Sequence, residues 1–199
     1  NLRTDLRVLA MSATADTDRF AKLLGDGEPA PIISSAGRQH PVDITGAPPG
    51  KQQRLDEAVA DVTLRALREN GGDILVFLPG IGEINRVQQT LERSVMPDTD
   101  VYPLAGALSL ADQDRALAPS PAGRRRVVLS TDIAETSLTV NGVSVVVDAG
   151  QARVPRYDPR TGMTRLTTIP TSRASAEQRA GRAGRGASRD RDGRLHRHQ

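Results

Sequence analysis

Ile74-Leu75-Val76-Phe77-Leu78 is an uninterrupted apolar run, and it constrains this chain more than any other stretch. A strand with one face in water alternates apolar and polar side chains. A strand apolar at every position has both faces covered, as central strands of parallel sheets do. Helical patterns stand on both sides of the run. Before it, Leu55, Ala58, Val59, Val62, Ala66 and Leu67 recur at helical spacing until Gly71-Gly72. After it, Pro79-Gly80 turns into a second helix with Ile84, Val87 and Leu91 inward. A short strand at Val101 to Leu104, a helix from about Leu110 and a strand at Arg126 to Ser130 follow. A polar turn then leads to a strand at Val143 to Val147. Strands alternating with helices predict an α/β fold, a parallel sheet with flanking helices and right-handed crossovers.

Both ends depart from this rhythm. Leu6 to Met11 reads as a buried strand running into Ser12-Ala13-Thr14, with a helix from near Asp16 that carries Phe20, Leu23 and Leu24 and stops at Gly25. Ser12 and Thr14 suit either helix capping or ligand binding at a strand tip. Ile32-Ile33-Ser34 is a second short strand candidate. Residues 36 to 50 hold Gly37, Pro41, Gly46, Pro48, Pro49 and Gly50, so a domain boundary is expected near residue 46. Gln151 to Tyr157 and Met163 to Ile169 flank Asp158-Pro159-Arg160-Thr161-Gly162, the pattern of a β-hairpin. Beyond Ala187 the sole aliphatic is Leu195, too little for a core, so 187–199 is expected to be disordered.

Charge separates along the chain. The net charge is +3, yet residues 173–199 carry eight arginines against three acids, so the remainder is slightly acidic. Such a basic end suits phosphates of a nucleotide or a nucleic acid. With no cysteine, disulfides and thiolate metal sites are excluded, and His196 with His198 is too small a set for a metal. No apolar stretch approaches 18 residues and no signal-peptide pattern is present, which makes a cytoplasmic protein without a membrane partner the expectation.

The basic end contains Gln178-Arg179-Ala180-Gly181-Arg182-Ala183-Gly184-Arg185. On one helix, Gln178, Arg182 and Arg185 would share a stripe roughly 60° wide over about 10 Å. Two guanidinium forks and an amide aimed one way suit a terminal phosphate and the charge that grows on it during phosphoryl transfer. Gly181 and Gly184, each costing about 1 kcal/mol in a helix interior, would allow close packing on another face. Two alternatives stand beside this reading. The arginines could form a solvated helix end, and Ser175 to Gln178 matches a capping box that would turn Gln178 back to the backbone.

The order of four segments is more specific than any one of them. Ser12-Ala13-Thr14, then Ile74 to Gly80, then Ser130-Thr131-Asp132-Ile133-Ala134-Glu135-Thr136-Ser137-Leu138-Thr139, then Gln178 to Arg185 resemble motifs III to VI of superfamily 2 helicases of the DEAH type. Stretches at Ala10 to Thr14, Val76 to Glu83 and Leu108 to Ser120 resemble, more narrowly, the bacterial ATP-dependent helicases called HrpB. The resemblance covers residues 1 to about 186. It implies a RecA-like second motor domain at 46–186 with an inserted hairpin, preceded at 1–45 by the end of a first RecA-like domain. It implies ATP and Mg2+ as ligands, held mainly by that first domain, and single-stranded RNA as partner.

The resemblance also implies roles. Arg182 and Arg185 would be arginine fingers on the γ-phosphate, with Gln178 positioning water. Ser12 and Thr14 would couple nucleotide state to the nucleic-acid site, and Ser137 and Thr139 would face the nucleotide. Gly80, Thr131, Asp132 and Thr136 would lie along the nucleic acid, with the Thr131 hydroxyl on a phosphate, and the hairpin would act at the strand junction. Asp132 replaces the usual Asn, an acceptor-only group that a phosphodiester would repel. Asn141 stands where relatives often carry an acid near the nucleotide, and Leu117 where many carry an aromatic on the base.

No Gly-x-x-x-x-Gly-Lys-Ser/Thr loop and no Asp-Glu-x-His occurs in the sequence, so the chain reads as a fragment expected to hydrolyse no ATP by itself. The alternatives are a standalone nucleic-acid-binding module, and a partial product that never folds. Only Tyr102, Tyr157, Phe20 and Phe77 are aromatic, and the reading finds no exposed stacking platform among them, which argues against a strong standalone binder.

Overall fold

A computed structural model describes residues 7–11, 17–34, 42–46, 50, 52–136 (backbone alone at Thr136), 138 and 140–183. The chain divides into two compact units, residues 1–38 and 39–199. In the first, α1 spans Thr17–Leu24 and buries Ala21. Strands were expected at Leu6 to Met11 and Ile32 to Ser34, but the described residues 7–11 and 32–34 are not strands, and Val8, Leu9, Met11 and Ile33 stand exposed. A strand persists only when neighbours take up its N–H and C=O groups, and here no described residue does so.

The second unit runs α2 (Leu55–Glu69), β1 (Asp73–Phe77), α3 (Ile81–Glu92), β2 (Thr99–Leu104), α4 (Leu110–Leu117) and β3 (Arg125–Ser130). It continues with α5 (Ile133–Thr136), β4 (Val143–Asp148), β5 (Gln151–Asp158), β6 (Met163–Pro170) and α6 (Arg173–Ala180). Four strands form one sheet in the order β2-β3-β1-β4, and every pairing is parallel. The apolar run is therefore central and buried throughout. Its side chains alternate between two cores. Ile74, Val76 and Leu78 pack with Val59, Ile84, Val87 and Leu91 of α2 and α3, while Leu75 and Phe77 pack with Leu104, Ala116, Ala134 and Val140. Each such side chain contributes roughly 1.5–3 kcal/mol by leaving water.

Local signals set the element ends. Asp56 and Glu57 occupy the first turn of α2 and Arg68 the last, complementing the helix dipole. Gly72 then turns with φ of 76°, and a Cβ there would meet Ser144 Oγ at 2.6 Å, so only glycine enters β1 in this way. On β2, Asp100 accepts from Arg124 Nε at 2.8 Å, and this bond holds its carboxyl below the ordinary range. The segment after β3, expected as a plain polar turn, contains the one-turn helix α5.

The hairpin forms as expected. β5 and β6 pair antiparallel from Gln151↔Pro170 to Asp158↔Met163, and Gly162 takes φ of 66° in the loop. On β5, Tyr157 stands 64% exposed, which corrects the expectation of no exposed stacking platform. Helix α6 corrects three expectations. Its N-cap is Ser172, whose Oγ accepts from Ser175 N at 3.2 Å, so Ser175 lies inside the helix and no capping box draws Gln178 back. The helix ends at Ala180 with Gly181 as its C-cap, so Gln178 and Arg182 do not share a continuous helical stripe. Glycine's poor helix propensity ends the helix at that point. Nor, among the described residues, does Gly181 pack against another element, since a Cβ there would meet only the carbonyls of Glu177 and Gln178, at 3.4 and 3.5 Å. The 187–199 tail lies outside the described residues.

Candidate functional site

Parallel strands bring their C-terminal ends to one edge of the sheet. Leu78 N donates to Ser130 O at 2.8 Å and Ala149 N to Phe77 O at 3.0 Å, so the loops after β1, β3 and β4 leave side by side. Gly80 follows β1 as the N-cap of α3. Thr131 follows β3, half-buried, with its N–H on Leu104 O at 3.3 Å, and Asp132, with its side chain exposed, accepts from Glu135 N through its backbone carbonyl at 2.9 Å. Thr136 closes α5.

The α6 end is fastened to this edge by two buried arginines. Arg179 is 2% exposed. Its Nε donates to Glu135 Oε2 at 2.9 Å, and its Nη1 donates to Asp148 Oδ1 at 2.9 Å and Thr171 Oγ1 at 3.1 Å. The guanidinium lies 4.9 Å from the Phe77 ring centroid, a cation–π contact. Ser175 Oγ donates to the same Glu135 oxygen at 2.5 Å. One side chain thus joins α5, the end of β4, the base of the hairpin, α6 and the central strand. Arg182, 8% exposed, donates through Nε to Glu135 O at 3.1 Å and through Nη1 to Leu138 O at 3.2 Å. Its Nη2 also reaches Glu135 O. Gln178 sits in the last turn of α6, half-buried.

Sequence reasoning did not single out Arg179, Glu135 or Asp148. Arg179 was one of many arginines, about 100° around the helix from Gln178. The available signal was that offset, since a long cation turned away from the polar stripe needs acids inside the fold.

A cleft of about 310 Å3 opens beside this junction, lined by Asp132, Glu135, Val154, Ile169 and Arg179 among others. On another side the hairpin is strapped to α3. Arg153 Nη2 donates to Glu83 Oε1 at 3.1 Å, and the guanidinium lies where a Cβ on Gly80 would stand. Glycine at position 80 therefore makes room for the strap.

Leu117 and Asn141 lie at the opposite edge of the sheet. Leu117 ends α4 and packs half-buried against the core of Leu75 and Phe77, and Asn141 is exposed just before β4. Arg126, 1% exposed, holds both neighbourhoods. It donates to Asp73 Oδ2 at 2.7 Å and Ala116 O at 3.0 Å, and also to the carbonyls of Ala118 and Asn141. Ser12, Thr14, Ser137, Thr139 and Arg185 lie outside the described residues. Among the described residues, no group of three or more His, Cys, Asp or Glu is placed to hold a metal ion, and no helix is long and apolar enough to cross a membrane.

Comparison with known proteins bears on this edge. Residues 51–187 match the family model described as helicase conserved C-terminal domain. Over 184 residues the chain is 53% identical to ATP-dependent RNA helicase HrpB of Escherichia coli, covering 92% of this chain and 22% of that protein. Over 189 residues it is 41% identical to the pre-mRNA-splicing factor ATP-dependent RNA helicase prp22 of Schizosaccharomyces pombe, covering 92% of this chain and 14% of that protein. A crystal structure of the Escherichia coli DEAH/RHA helicase HrpB superposes with a TM-score of 0.85 at 53% identity, covering 92% of this chain and 23% of that one. The chain thus spans less than a quarter of the length of these relatives.

Proposed function

Because the chain belongs to the family of helicase conserved C-terminal domains, we propose that it supplies the second RecA-like motor domain of an ATP-dependent RNA helicase of the DEAH type. Residues 1–45 are then the end of the first motor domain, 46–186 the second with its hairpin at 151–169, and 187–199 a tail. Relatives named as ATP-dependent RNA helicases support the class. The observation that carries the reading to this chain's own residues is the junction of Glu135 with Arg179 and Arg182. It ties the segment after α6 to the loop after β3, so a ligand on one is felt by the other.

In this reading ATP and Mg2+ are held mainly by the first motor domain. Mg2+ supplies neutralisation of charge on the phosphates. Arg182 and Arg185 face the γ-phosphate and stabilise the charge that develops there, while Gln178 orients the attacking water. Among its partners, Arg182 donates to the neutral carbonyls of Glu135 and Leu138. A charged phosphate oxygen makes a bond about twice as strong, so it draws one edge of the guanidinium away. Asn141 and Leu117 meet the ribose and base from the far edge, and Leu117 offers apolar contact without stacking. Ser12 and Thr14 relay nucleotide state to the nucleic-acid site, Ser137 and Thr139 face the nucleotide, and Gly80, Thr131, Asp132 and Thr136 line the RNA path.

The phosphate-cradling loop is absent from this sequence, which sets up the test. The purified 199-residue chain should show no single-turnover ATP hydrolysis. A longer protein carrying the chain behind such a loop should hydrolyse ATP faster with single-stranded RNA. Measurable hydrolysis by the chain alone would overturn the reading.

A further inference from the structure

Arg126, near the start of β3, buries a permanent positive charge. Taking an ion pair out of water is costly, and apolar residues of the same volume often serve stability as well. What the guanidinium holds indicates what the charge is for.

Asp73, at the start of β1, takes one side of it. The carboxylate accepts from Arg126 Nε at 2.7 Å and from Arg126 N at 3.1 Å, and Ser120 Oγ donates to it at 3.4 Å. Asp73 N donates to Gly142 O at 3.2 Å, so the acid also ties down the turn after Asn141. The other side of the guanidinium faces three backbone carbonyls. Nη1 donates to Ala116 O at 3.0 Å and to Ala118 O, the carbonyls on either side of Leu117. Nη2 donates to Asn141 O. Helix α4 ends at Leu117, and the last carbonyls of a helix have no partner within it, so Arg126 supplies one from outside. One planar fork thus grips the backbone around Leu117 and at Asn141 together.

We propose that Arg126, braced by Asp73, is a positioning residue for the nucleotide: it fixes Leu117 and Asn141 relative to each other and so sets how tightly base and ribose are bound. The proposal rests on the reading that those two residues meet the nucleotide. Lysine at position 126 would keep a charge opposite Asp73, but a single ammonium cannot span the carboxylate and all three carbonyls. Arg182 stands at the opposite edge of the sheet, so affinity should change while the chemistry at the γ-phosphate does not.

The experiment uses a longer protein that carries this chain behind a phosphate-cradling loop. It measures the Kd for ADP by calorimetry and the turnover number at saturating ATP and RNA. Arg126→Lys should raise the Kd about tenfold, the worth of one leucine's apolar contact, and leave the turnover number within about twofold of the parent. Leu117→Ala should raise the Kd by a similar factor. The double variant should bind within about threefold of the weaker single one, well short of the roughly hundredfold loss of two independent contacts. Asp73→Asn loosens the guanidinium from its other side and should raise the Kd in the same direction, which keeps the test open if the lysine variant does not fold. Val87→Ala opens a cavity in the core on the other face of the sheet, and it should lower the melting temperature without moving the Kd.

An unchanged Kd in the Arg126 and Asp73 variants, additive losses in the double variant, or an equal rise in Val87→Ala overturns the positioning role and leaves the motor reading standing. An unchanged Kd in Leu117→Ala overturns the contact with the base and the proposal with it. Absence of ATP hydrolysis by the longer protein overturns the motor reading itself, and the proposal falls too.

Discussion

At the scale of single residues, the molecule depends on arginines it has buried. Removing one partner of a buried ion pair strands the other in a medium that solvates it poorly, at a penalty of about 3–5 kcal/mol. Arg179 neutralises two carboxylates, Glu135 and Asp148. Arg179→Met should therefore lower stability to urea by about that amount, measured on the isolated chain. Loss of under about 1 kcal/mol would mean that the junction is held by packing alone. The sequence pointed to the stretch Gln178 to Arg185 and failed to show which of its arginines is the buried anchor. Arg182 and Gln178 stand near the expected edge of the sheet, while the residue that holds them there was legible only once Glu135 and Asp148 had been folded against it.

Elements were easier to read than their ends. Every helix and strand of the second unit except α5 was foreseeable, because periodicity over many residues outweighs any single exception. Four residues between two strands carry no such period, which is why α5 was missed. The end of α6 was misjudged for a related reason, since spacing continued through Gly181 suggested one long helix while the backbone stopped. The two glycines differ accordingly. Gly181 has φ of −60°, open to any residue, so Gly181→Ala should be neutral or stabilise by roughly 0.4–1 kcal/mol. At Gly72, with φ of 76° and Ser144 close by, the same change should destabilise by more than that. Thermal unfolding of the two variants reads the difference, and a destabilising Gly181→Ala would restore the close-packing expectation.

For the whole molecule, one apolar strand was enough to specify a parallel sheet covered on both faces, and its alternation between two cores explains why no polar residue interrupts it. Residues 7–11 and 32–34 show the converse, since among the described residues they have no strand to pair with and do not form one. The sheet then separates the candidate residues between its edges, with Thr131, Glu135 and Arg182 at one and Leu117 and Asn141 at the other. The central claim is that Arg182 belongs to a phosphate-transferring motor and not merely to the packing of a loop. The direct measurement is the ATP turnover number, under saturating RNA, of a longer protein that carries this chain, with Arg182 intact and with Arg182→Lys, which keeps the charge and loses the fork. An arginine finger is worth about 10³-fold or more, so the variant should turn over at least some hundredfold slower while still binding ATP. A turnover number within about twofold of the parent would contradict the account.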